Sequence, residues 1–111
     1  MSKAAAPELI LDVTFRIEPG CLGPDGLSHI EDFCQLAQQH FDRLARRYLR
    51  WDIIPRYDKA LPEMQYSLNG RAISRDKVEK VLNLHQQTVD GLEEKVNQLL
   101  DTMINLYFER N

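Results

Sequence analysis

The stretch Arg43–Tyr57, RLARRYLRWDIIPRY, holds five arginines and three large aromatic residues in fifteen positions. Its reading decides how much of the chain is one helix. Upstream, Ile30, Phe33, Ala37 and Phe41 recur at steps of three and four, and Leu44, Tyr48 and Trp51 continue the series. That spacing predicts an amphipathic helix with one apolar face. Its opposite side reads Glu31, Gln35, Gln38, Gln39, Asp42, Arg43, Arg46, Arg47 and Arg50. Ser28, with Glu31 three positions on, has the form of a capping box at the start. Pro55 cannot continue a helix and disfavours helical geometry at Ile54, so the segment around it is expected to be a loop.

This helical reading bears on function. It turns Tyr48 and Trp51 inward and Arg43, Arg46, Arg47 and Arg50 outward. A single-strand binding surface needs aromatic and basic side chains on the same side, so that bases stack while phosphates pair. A nucleic-acid or other anion contact through these four arginines is therefore possible but not favoured. Asp42 and Arg46 stand at the i,i+4 spacing of a helical ion pair.

Before the helix, Leu9, Leu11, Val13, Phe15 and Ile17 alternate with Ile10, Asp12, Thr14 and Arg16, the pattern of a strand with one buried face. Glycines and prolines then mark 18–27 as a loop. Downstream, Asn69-Gly70 lies between short apolar runs and predicts a two-residue hairpin turn, because both positions of a type I′ turn need positive φ. In that register Ser67 faces Ala72 and Leu68 faces Arg71. Ser74 is a good helix cap. Val78, Leu82, Val89, Leu92, Val96, Leu99, Met103 and Leu106 then follow a heptad-like spacing, with His85 in the polar slot. Thr88, Asp90 and Gly91 are weak helix formers, so a break is expected near residues 86–91, and Asp90 with Glu93 has the form of a new cap.

The last helix carries a second apolar stripe, Leu100, Ile104, Tyr107 and Phe108, beside Leu99, Met103 and Leu106. Two stripes call for two partners, and a second copy of the chain can supply one of them. The expected fold is thus α+β. A three-stranded, mainly antiparallel sheet has helices packed on one face, in the order β-α-β-β-α(-α), within a single domain, 1–111, whose first eight residues form a flexible lead-in.

Composition sets the function classes. The chain has 111 residues, a formal net charge of -3 and 43% hydrophobic content. These values suit a soluble domain with one core and no global attraction to polyanions. The charge is uneven: residues 41–75 hold eight basic and four acidic side chains, whereas both flanks are acidic. No apolar run reaches membrane-spanning length, and the first residues lack the apolar stretch of a secretory signal. Two cysteines, Cys21 and Cys34, make no disulfide framework. A cytoplasmic location is expected.

Catalytic and metal readings find little support. Cys21, His29, Cys34 and His40 fall within twenty residues but form no close ligand pair, and on a helix Cys34 and His40 point about 120° apart. No metal or cofactor is expected. A Cys21–His29 nucleophile pair has no recognisable orienting third residue, and the glycine loop matches no phosphate-binding pattern. Tyr57, Asp58 and Lys59 lie in a loop with no converging partner. The leading expectation is a non-catalytic interaction or regulatory protein that pairs with itself, and with an unidentified protein partner, through its last helix. The alternatives are an anion or nucleic-acid binder using the four arginines, and a small enzyme or ligand-binding protein with a pocket between the sheet and loops 18–27 and 55–63.

Overall fold

A computed structural model describes residues 9–110. The expected flexible lead-in, residues 1–8, lies outside the described residues. The elements run β1 (Leu11–Ile17), α1 (Gly26–Phe41), β2 (Leu49–Pro55), β3 (Met64–Leu68), β4 (Arg71–Ala72), α2 (Arg75–Asn83) and α3 (Val89–Arg110), with a short 3₁₀ turn at Pro19–Leu22. They form an α+β fold around one mixed four-stranded sheet in the order β2-β1-β3-β4. The β1–β2 pair is parallel, and the β1–β3 and β3–β4 pairs are antiparallel.

The expected class and the succession of elements hold, but the sheet has a fourth strand, and it comes from the opening stretch. Leu49, Trp51 and Ile53 are buried while Arg50 and Asp52 are exposed. That is a period of two, and it competes in the same residues with the helical spacing. The helix predicted to reach Trp51 ends at Phe41. Ala45 then takes a left-handed conformation, φ 52°. A helix cannot pass such a residue, and the chain reverses. The Tyr48 and Leu49 amides both donate to the Ala45 carbonyl, at 3.0 and 2.9 Å, and the Leu11 amide donates to the Tyr48 carbonyl at 2.9 Å, which starts the pairing with β1. The Trp51 indole donates to the Leu44 carbonyl at 3.0 Å, satisfying a group that the lost helical turn leaves free.

The other end of α1 also differs from expectation. The helix begins at Gly26, and Ser28 donates its hydroxyl to the Asp25 carbonyl instead of capping. Gly26 lies so close to Pro19 that a Cβ there would overlap its backbone carbonyl, 1.8 Å from the oxygen. The helix start and the 3₁₀ turn are thereby locked together by the absence of a side chain.

Three expectations hold in the main. β1 buries Leu11, Val13, Phe15 and Ile17 on one face, but Leu9, expected on that face, precedes the strand and is 43% exposed. The hairpin pairs Ser67 with Ala72 and Leu68 with Arg71, and Asn69 and Gly70 have φ of 54° and 81°. The helical region after Ser74 breaks at Gln86, φ 58°. Ser74 caps α2 by accepting from the Lys77 amide. At the start of α3 the structure uses Thr88, whose Oγ1 accepts from the Gly91 amide at 3.0 Å, and Glu79, which accepts from the Val89 amide at 3.1 Å.

The core lies between the sheet and the helices. Phe41 packs between Phe15 and Trp51, with ring centroids 5.7 and 5.1 Å away. Val89, Leu92, Val96 and Met103 bring α3 into the same cluster. The reverse face of the sheet carries Asp12, Thr14, Arg16, Arg50, Asp52 and Gln65, none of them buried.

Because β2 is an edge strand, its outer backbone groups need partners from elsewhere. Gln38 on α1 supplies two. Its amide nitrogen donates to the Trp51 carbonyl at 2.8 Å and to Asp42 Oδ1 at 2.7 Å, while its oxygen accepts from the Ile53 amide at 2.8 Å. The side chain pairs with β2 much as another strand would. Gln38→Ala should cost about 1–3 kcal/mol in denaturant unfolding, since it leaves two partly buried backbone groups unpaired. Gln38→Glu should be unstable at neutral pH, where a carboxylate faces the Trp51 carbonyl, and should regain stability on acidification, when its proton restores the donor. A Gln38→Ala protein as stable as wild type would show that water pairs this edge equally well.

Candidate functional site

The four arginines of the opening stretch do not form a stripe along one helix. Arg43, Arg46 and Arg47 sit on the reversal after α1, and Arg50 sits on β2. All four are exposed. The expected Asp42–Arg46 ion pair does not form, because α1 ends at Phe41 and the i,i+4 helical spacing is lost; Asp42 accepts from Gln38 instead. Among the described residues, ion pairs join Arg56 to Glu18 and Glu63, at 2.9 and 4.0 Å, and Arg75 to Asp90 and Glu93, at 2.8 and 3.3 Å. None of these involves Arg43, Arg46, Arg47 or Arg50. Arg50 is fixed by donating to the Arg46 carbonyl at 2.9 Å and the Leu49 carbonyl at 3.3 Å. Arg46 and Arg50 line an open cleft of about 390 Å³ with Asp42, Leu49 and Trp51.

The reversal also separates Tyr48 from Trp51. Trp51 is buried, but Tyr48 is half-buried and lies flat against His85, with ring centroids 3.8 Å apart and planes 6° from parallel. The predicted polar seam residue of the α2–α3 junction is thus the stacking partner of a tyrosine in the arginine turn. Burial raises the Tyr48 hydroxyl above its ordinary value, and the charge of Arg47 opposes that rise. A helical reading could not foresee this pairing, because the approach of Tyr48 to His85 depends on the left-handed residue at Ala45.

The second candidate surface is the end of α3. Tyr107 is buried against Phe33, ring centroids 5.6 Å apart, and its hydroxyl shares a 2.9 Å hydrogen bond with His29 Nδ1. Phe108 contacts His29 edge-on at 5.8 Å but stays 42% exposed, and Leu106 stays 39% exposed. Leu100 and Ile104 are half-buried against the core. Of the four predicted interface residues, therefore, Tyr107 faces inward, Phe108 faces outward and the other two lie on the border.

The remaining chemistry is sparse. His29 engages Tyr107, so the structure does not assemble the Cys21–His29 pair. Cys21 lies in a cleft of about 170 Å³ with Phe15, Ile17, Glu18, Glu63 and Leu100. This is where a pocket between the sheet and the two loops was expected, but it is smaller than the roughly 300 Å³ at which ligand sites begin. Desolvation, followed by the charges of Glu63, Glu18 and Asp101, raises the Cys21 thiol, which disfavours the thiolate that nucleophilic attack requires. Burial, with Glu31 adding to it, pushes the Cys34 thiol up to about 12. Tyr57 donates to Glu31 at 2.8 Å, and Asp58 accepts from the Ala60 amide at 2.9 Å, so both serve the loop. Among the described residues no three His, Cys, Asp or Glu side chains converge as metal ligands, and no helix is long and apolar enough to cross a membrane.

The two thiols should behave differently. With an aromatic disulfide reagent at pH 8, Cys21 should react slowly but measurably in the native protein, whereas Cys34 should react only on unfolding. Because the folded state holds the Cys34 proton more tightly than the unfolded chain, stability should fall as pH rises past the ordinary thiol value near 9.0. Part of that fall should vanish in Cys34→Ala. Equal labelling rates for the two thiols in the folded protein would contradict the burial of Cys34.

Compared with known proteins, the chain matches no family model, no curated protein and no solved structure.

Proposed function

We propose that the protein is a non-catalytic interaction module that self-associates through the C-terminal half of α3. The observation that carries this reading is Phe108, 42% exposed, in line at four-residue steps with the partly covered Leu100 and Ile104 on one flank of a helix whose buried line is Met103 and Tyr107; Leu106, 39% exposed, lies on the other flank. Leu99, Leu100 and Ile104 extend the apolar border on both sides and are only partly covered. A row of large apolar side chains along one flank of a helix, left partly open to water, marks an association surface more often than a solvated one. A two-fold pair is the simplest way to cover such a surface, since each copy presents the same residues to the other. The small cleft at Cys21 and the raised thiols argue against chemistry there.

Leu106 and Phe108 are exposed, so they can be replaced without opening the core. Analytical ultracentrifugation at micromolar concentration should give a dimer for the wild-type chain and a folded monomer for Leu106→Asp/Phe108→Asp. Tyr107→Asp, in contrast, should unfold the protein, because Tyr107 is 8% exposed and packs on Phe33. A folded wild-type monomer at several hundred micromolar would end this reading.

A further inference from the structure

A single helix running through Trp51 would place Arg43, Arg46, Arg47 and Arg50 on the side away from its aromatic residues, where no base could stack beside a held phosphate. The reversal at Ala45, φ 52°, removes that geometry. Tyr48 now lies in the same turn as Arg43, Arg46 and Arg47, and it stacks on His85 of the α2–α3 junction. We infer that residues 42–50, with His85, form a binding surface for single-stranded nucleic acid, in which the arginines hold phosphates and the Tyr48–His85 stack receives a base. This goes beyond self-association and does not depend on it.

Four observations converge. Residues 41–50 hold four arginines and one aspartate in a chain whose net charge is -3, so the positive potential is local to this turn. Among the described residues, ion pairs engage Arg56 and Arg75 but none of these four, although Asp12 lies opposite Arg50 in the β1–β2 register. The one acid within the turn, Asp42, accepts from Gln38. Arg50 is held in place by two backbone carbonyls beside an open cleft, so part of the surface is fixed before any ligand arrives.

The stack favours nucleic acid over other polyanions. Tyr48 and His85 lie face to face at 3.8 Å and neither is buried. Every nucleobase has a face that can extend such a stack, which makes recognition tolerant of sequence. Phosphopeptides and anionic membranes offer the charge without the stacking partner. A duplex offers phosphates but keeps its bases paired.

The test uses fluorescein-labelled twelve-nucleotide oligouridine and oligothymidine in anisotropy titrations at 50 mM salt. Binding of at least one oligonucleotide in the micromolar range is expected. If three phosphates are neutralised, the logarithm of affinity should fall against the logarithm of salt with a slope of about -2. Arg43→Gln/Arg46→Gln/Arg47→Gln changes only exposed side chains and should weaken binding by about tenfold or more while circular dichroism stays unchanged. Tyr48→Leu keeps apolar bulk and should weaken oligonucleotide binding by about fivefold or more, yet leave competition by inorganic polyphosphate unaffected. His85→Leu is the second variant of the stack, should Tyr48→Leu fail to fold. No binding below 100 µM would overturn the inference. So would equal affinity for a matched duplex, binding only to phosphatidylserine vesicles, or full affinity in a folded stack variant, which would leave a plain anion-attracting surface.

Discussion

The structure depends on one strand having partners on both edges. β1 is apolar on one face only, but it lies second in the sheet, so the amides and carbonyls along both of its sides must be paired. β3 satisfies one side from the antiparallel direction, and β2 satisfies the other from the parallel direction. A parallel neighbour cannot be reached through a tight turn; the chain must cross from one end of the sheet to the other, which takes a dozen or more residues. Residues 18–48 make that crossing, and α1 is its main part. The helix must stop when it has returned far enough for Leu49 to pair with Leu11. The left-handed Ala45 is where it is turned back, and the Trp51 indole and Gln38 amide satisfy the backbone groups that this abrupt change exposes.

The same constraint explains how the remaining surfaces are arranged. With β2 at the edge, α1 covers the inner face of the strand and also reaches over its rim through Gln38. At the opposite edge β4 has only two residues, which offers a poor template for another chain. The reverse face of the sheet mixes Asp12 and Asp52 with Arg16 and Arg50 and presents no broad apolar area. Sheet-mediated association is therefore blunted on three sides. Leu106 and Phe108 of α3 are among the large apolar side chains left exposed, with Leu9, Leu27, Tyr57, Leu61 and Leu84.

How far the sequence disclosed this can be judged residue by residue. Features set by local chemistry were legible. The hairpin follows from positive φ at Asn69-Gly70, and the α2–α3 break from weak helix formers around Thr88. β1 follows from clean alternation over seven residues. What misled was Leu49–Ile53, where Tyr48 and Trp51 fit a helix of period 3.6 while Leu49, Trp51 and Ile53 fit a strand of period two. Five residues cannot separate those periods. The decision was made by β1, 38 residues away, which needed a second neighbour. The candidate sites divide in the same way. Phe108 was placed at an open surface by helical spacing alone, whereas the Tyr48–His85 stack joins residues 37 positions apart and required the reversal. Tyr107 was assigned to the interface stripe, yet it faces the interior because α1 brings Phe33 and His29 against it.

The two candidate surfaces stand at opposite ends of α1, and that separation has a mechanical consequence. Phe108 meets His29 near the start of the helix, while the arginine turn begins immediately after Phe41. Twelve residues of helix between His29 and Phe41 span about 18 Å at 1.5 Å per residue, so a partner seated on one end need not crowd the other. The turn is held from both sides: Ala45 and Gln86, among the described residues the two left-handed non-glycine residues outside the hairpin, flank Tyr48 and His85 in sequence. Stacking the two rings ties the reversal after α1 to the junction before α3. Any ligand that pressed on that stack would therefore bear on the entry to the helix whose far end carries Phe108. Two copies joined there would each present one arginine turn, and a single strand long enough to reach both would gain from the second contact without any new interaction in either copy.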